Sequence, residues 1–156
     1  MKNKKINIII IILIVVILLG YYVFGQEYRY AKINSNRLFD YELPKKTKLI
    51  EKDFDYGVLY GGGPSGSGGY PTVVAYMKLS SELSEKDIFN YYDQVDFEIF
   101  FEGSEILKKN YEGKEWYEDN KISNTKLSDE KNEDNPINFI VQYRTEFTYP
   151  FFIDFY

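Results

Sequence analysis

Gly61-x-Gly63-x-x-Gly66 has the glycine spacing of a dinucleotide-binding turn, and residues 61–69 hold six of the chain's eleven glycines. Such a turn works by opening a helix whose N-terminus holds a pyrophosphate. Here the glycines run into Tyr70-Pro71 and then a β-branched segment, so no helix dipole would face a phosphate. A P-loop needs a Lys-Ser/Thr pair after its last glycine, and Ser67-Gly68 stands there instead. A kinase glycine loop does join two strands, and Val74-Ala75-Tyr76-Met77-Lys78 follows the pattern of the lysine strand beyond it. The catalytic His-Arg-Asp and the metal-binding Asp-Phe-Gly are both missing, however. The segment therefore reads as a hairpin tip. Loops on a rigid sheet collect binding residues, which makes Gly61, Gly63, Ser65, Ser67 and Tyr70 candidates for contact with a partner.

Other chemistry-bearing patterns are weaker. Ser123-x-x-Lys126 matches the nucleophile motif of penicillin-binding enzymes, but it lies in a polar stretch without the companion motifs. Asp53-x-Asp55-x-Gly57 and the set Asp93, Asp96, Glu98 and Glu102 could offer oxygens to Ca²⁺, yet the EF-hand spacing is absent and alternation puts Asp53 and Asp55 toward solvent. Paired carboxylates for glycoside hydrolysis cannot be nominated where Asp and Glu are so common. The chain has no His, the commonest general base and metal ligand, and no Cys, so neither a thiol nucleophile nor a disulfide. No catalytic, cofactor-binding or metal-binding residue is assigned. Aromatics are abundant, with 16 Tyr, 12 Phe and one Trp, and exposed Tyr or Trp can anchor a protein or stack on a sugar. Tyr111, Trp116 and Tyr117 are the best such candidates, because the alternation around them defines no buried face, although filling the core is the preferred reading of the aromatics.

The elements that must position these residues begin with a membrane segment. Residues 8–19 are twelve aliphatic residues in a row, and no charge falls between Ile6 and Gln26. At about 1.5 Å per residue this spans a hydrocarbon core of roughly 30 Å. Tyr21, Tyr22 and Phe24 stand where an interfacial aromatic belt would lie, and Lys2, Lys4 and Lys5 orient the N-terminus to the cytoplasm. The competing reading is a signal peptide cut near Gly25; Val23-Phe24-Gly25 lacks the usual Ala pair, and retention is preferred. The expected organisation is a cytoplasmic tail over 1–5, a transmembrane helix over 6–25, a juxtamembrane stalk over 26–44 and an extracytoplasmic domain over 45–156.

Within that domain Ile50, Phe54, Tyr56, Val58 and Tyr60 alternate with Glu51, Asp53 and Asp55, predicting a strand with one buried face. Residues 72–79 predict a second, central strand, apolar on both faces. Ser84 and Asp87 have capping-box spacing, with Leu83 and Ile88 placed as a hydrophobic staple, so a helix follows. Phe97, Ile99 and Phe101 predict a third strand ending at Gly103, residues 137–143 a fourth and 151–155 a fifth. Residues 104–118 fit either a short helix or a hairpin around Gly113, and 128–136 a solvated loop. The sum is α+β: an N-terminal transmembrane helix, then a small, mostly antiparallel sheet covered by one helix.

Beyond residue 25 stand 16 Lys and Arg against 24 Asp and Glu, a net charge of −8. Such a domain repels nucleic acid. The Met1-Lys-Asn-Lys-Lys5 head, the aliphatic run and the cysteine-free acidic domain together resemble the small, uncharacterised, N-terminally membrane-anchored proteins of low-GC Gram-positive bacteria. The run from Leu43-Pro44 through the glycine loop to Tyr91-Tyr92 shares that likeness. The resemblance implies a membrane location and brings no activity. The expected function is non-catalytic binding of a protein or envelope component outside the cell. An immunity or inhibitor protein against a membrane-acting toxin is the alternative, and an envelope hydrolase stands third.

Overall fold

A computed structural model describes residues 2–59, 69, 71–110, 112–119, 127–130 and 135–150, with side chains from residue 6 onward. Helix α1 (Lys2–Phe24) begins with Lys2, Lys4 and Lys5 and is apolar on every side from Ile8 to Leu19. From Ile6 to Phe24 its mean hydropathy is 3.0 and none of it is buried. It is long and apolar enough to cross a membrane, a property shared by anchors and signal sequences.

One residue separates α1 from α2 (Gln26–Phe39). The Gly25 N–H donates to the Tyr21 carbonyl at 3.0 Å and the Arg29 N–H donates to the Gly25 carbonyl at 3.3 Å. Helical bonding thus runs across the junction. A Cβ at Gly25 would lie 2.8 Å from the Tyr21 carbonyl oxygen, which only glycine avoids without adjustment.

Helix α2 lies within the segment 26–44 that the sequence suggests as a juxtamembrane stalk, and it packs on the sheet. Ala31, Ser35 and Leu38, spaced i, i+4, i+7, are fully buried and lie on one face of the helix. The helix packs on strands β1 (Thr47–Gly57), β2 (Thr72–Ser81) and β6 (Ile137–Glu146). Leu38 belongs to the main core cluster with Ala75, Met77, Leu79, Tyr92 and Phe139. The helix therefore contributes buried side chains to the same core as the sheet.

The main sheet is antiparallel throughout, in the order β1-β2-β6-β3, with β3 at Glu98–Phe101. β2 is central, as its doubly apolar pattern requires. Its Ala75, Met77 and Leu79 face α2 and the short helix α3 (Glu85–Tyr92). Ser84 caps α3, its hydroxyl accepting from the Asp87 N–H at 3.1 Å, and Leu83 and Ile88 join the core at the positions a staple requires. Residues 128 and 129 are tied to this helix start. The Lys86 N–H donates to the Ser128 carbonyl, and the Ser128 N–H donates to the Glu85 carboxylate.

The other face carries the hairpin β4 (Glu105–Lys109) and β5 (Glu115–Asp119). This resolves residues 104–118 in favour of a hairpin. Gly113 takes φ +85° in its turn, and the Asn110 carboxamide oxygen accepts from the Glu112 and Lys114 N–H groups.

Two details depart from the alternation. β1 ends at Gly57, whose φ of +124° suits glycine, so Val58 lies beyond it, and Tyr60 is outside the described residues. A β-bulge between Leu49 and Glu51 inserts Ile50 into the strand. Ile50 leaves the Phe54 face and borders the hairpin side, 59% exposed. The expected strand at 151–155 lies outside the described residues.

Candidate functional site

Of the residues singled out for contact, Gly61, Gly63, Ser65, Ser67, Tyr70 and Tyr111 lie outside the described residues, as do Ser123 and Lys126. Trp116 and Tyr117 are described, and both are buried on β5. Trp116 clusters with Leu59 and Val74, while Tyr117 clusters with Phe100 and Ile140. The Tyr117 ring meets Tyr76 edge-on at 5.3 Å. They fasten the hairpin to the sheet and are not free anchors.

The carboxylates do not converge on a metal. Glu98 pairs with Arg144 and accepts from the Gln142 side chain. The Glu102 carboxylate accepts from Asn138 Nδ2 at 3.4 Å. The Asp55 carboxylate accepts from the Glu115 N–H at 2.8 Å and lies 3.7 Å from Lys114 Nζ, so it positions the hairpin. Among the described residues no group of three or more potential ligands could hold a metal ion.

Gln142 is the residue that reading by pattern passed over. It is fully buried in β6. Its side chain accepts from the Tyr117 N–H at 2.8 Å and donates to the Tyr117 carbonyl at 3.0 Å, copying a strand's pairing to hold β5 over the sheet. A glutamine between Val141 and Tyr143, directly after the apolar run of residues 139–141, was the available signal.

Between this hairpin and the sheet lies a half-open cavity of about 360 Å³, in the size range of small-ligand clefts. Ile50, Phe100, Ile140 and Tyr117 give it an apolar wall. Three charged side chains border it: Lys78, Glu102 and Glu105. Lys78 is committed to Glu51 at 2.7 Å, and that hydrogen bond raises its pKa, keeping the amine protonated. A lysine so held is neither base nor nucleophile at neutral pH. Behind the wall, burial and then the negative charge of Glu51 push the Tyr76 phenol up to about 12. The Glu105 Oε2 atom is buried without a hydrogen-bond partner among the described residues. The arrangement can bind a small group and offers it two carboxylates that have no cationic partner among the described residues.

A second geometric fact concerns the end of the sheet nearest α1. Tyr28 stands against Tyr56 at 5.8 Å, Tyr30 against Tyr149 at 6.4 Å, and Ala31 in one cluster with Val73 and Phe147. The start of α2 is thus level with the end of β1, the start of β2 and the end of β6. The Glu27 carboxyl, at this end, has its pKa raised chiefly by burial, with Lys114 opposing and Glu112 adding to the rise.

No protein-family model, curated protein or solved structure matches this chain.

Proposed function

We propose that the chain is a single-pass membrane protein whose acidic α+β domain binds a protein or envelope component outside the cell, without catalysis. The junction at Gly25 carries this reading. An exposed apolar helix continues, after one residue, into a helix that belongs to the domain core. A domain so joined has no slack and sits directly on the bilayer surface, with the Gly57–Thr72 end of the sheet toward the lipid. The helical bonding across residues 21–29 and the missing Ala pair at the cleavage position favour retention of the anchor. Lys2, Lys4 and Lys5 favour a cytoplasmic N-terminus.

The excess of carboxylates favours a basic partner. The same charge supports a second reading, an inhibitor of a basic toxin acting at the membrane, and a toxin gene beside this one would favour it. The intact mass of the membrane-bound chain tests the anchor. The full 156-residue mass is expected in the membrane fraction; a chain beginning at residue 26 in the soluble fraction would overturn the reading. Cross-linking in the native membrane then identifies what the domain holds.

A further inference from the structure

We infer that the cavity under the β4–β5 hairpin receives a lysine or arginine side chain of a basic protein partner, an ammonium or guanidinium group on an apolar stem. The inference rests on the reading of the domain as a binding module and names the chemistry that module recognises.

Three observations converge. The first is shape: a half-open cavity of about 360 Å³ admits one long side chain and no folded element. The second is its wall. The bulge turns Ile50 out of the helix-facing side of β1 and leaves it 59% exposed at the rim, opposite Phe100 and Ile140. An aliphatic side chain so placed gains when methylenes cover it. The third is charge. Lys78 and Glu51 neutralise each other at 2.7 Å, while among the described residues the Glu102 carboxylate meets only the neutral Asn138. Glu105 adds a second carboxylate whose buried Oε2 has no partner among the described residues. The cavity is left with an excess of two negative charges. A carboxylate oxygen withdrawn from water without a donor is costly, and a cationic N–H donor relieves that cost best. An anionic or purely apolar guest would leave it unrelieved.

The test uses the full chain in phosphatidylcholine nanodiscs, whose neutral lipid does not attract amines. Nα-acetyl-lysinamide is titrated against the methyl signals of Ile50 and Ile140, with Nα-acetyl-norleucinamide as the uncharged counterpart. Saturable shifts with the lysine derivative and none with the norleucine derivative are expected. Glu105→Gln should weaken binding by at least about tenfold, the scale of one lost charge-assisted hydrogen bond, with its spectrum still that of a folded domain. Equal binding of the norleucine derivative, unchanged binding by Glu105→Gln, or no binding of either derivative would each overturn the inference. Lys121 follows β5 closely in sequence. Binding seen only in a Lys121→Gln variant would mean that the chain fills its own cavity, which also overturns it. Binding of the lysine derivative by a domain that proves to lie in the cytoplasm would sink the membrane topology and spare this site. A surface-exposed domain that ignores the lysine derivative would do the reverse.

Discussion

Leu38→Ala removes the largest fully buried side chain of α2. Leu38 is fully buried, in one cluster with Ala75, Met77, Leu79 and Tyr92. The sheet beneath it is held by ladders on both sides of β2, so the space left behind cannot collapse. Leucine truncations of this kind cost about 2–5 kcal/mol, a large fraction of the roughly 5–15 kcal/mol that holds a domain folded. With a urea slope of about 2 kcal/mol per molar, the unfolding midpoint should fall by about 1–2.5 M. The assay is urea denaturation of the full chain in micelles, followed by Trp116, the single tryptophan, buried between hairpin and sheet. Helix α1 stays in the micelle, so the signal reports the domain alone. Ile33→Ala is the control, a residue of the same helix that is 67% exposed, and should change stability by less than about 0.5 kcal/mol. Equal midpoints for the two variants would refute the placement of α2 in the core and restore a free stalk.

Three further outcomes follow from the interior. Gln142→Ala deprives the Tyr117 N–H and carbonyl of their partners, at a cost of about 1–3 kcal/mol; amide exchange at Tyr117 should accelerate far more than at Met77 in the central strand. The buried Tyr92 hydroxyl has no hydrogen-bond partner among the described residues, so Tyr92→Phe should leave the urea midpoint at neutral pH unchanged or raised. Burial raises the phenol pKa of both Tyr92 and Tyr76, the latter to about 12. The folded chain therefore keeps protons that the unfolded chain releases near pH 10. This contribution to stability is complete below about pH 10 and is lost as pH rises toward about 12. Midpoints at pH 8 and pH 11 should differ less in a Tyr76→Phe variant than in the parent.

Local patterns were legible in this sequence, and contacts between elements were not. The strands at 72–81 and 137–146 announce themselves by apolar alternation, and α3 by a cap that works as its residue types suggest. Helix α2 escaped because its buried stripe is Ala31, Ser35 and Leu38: two of the three are small or polar, so the helix has the spacing of a core element without its hydrophobicity. Trp116 and Tyr117 are adjacent and both buried. A strand with one buried face cannot produce that, which is why the alternation defined no buried face around them. The Ile50 bulge has no signal in the run of residues 47–57, since a register shift becomes visible only against the partner strand. The cavity depends on all three: the bulge, the hairpin's seat and the Gln142 clamp. Its residues are therefore scattered from 50 to 140 with no motif joining them.

The central claim is an anchored domain on the outer face of the membrane, and thiol labelling in intact cells tests it most directly. The chain has no cysteine, so Asn3→Cys and Asn90→Cys each introduce a unique thiol, the second at an exposed position on α3. A membrane-impermeant maleimide should label the Asn90→Cys chain on intact cells and the Asn3→Cys chain only after lysis. Labelling of Asn3→Cys from outside, or protection of Asn90→Cys until lysis, would contradict the account.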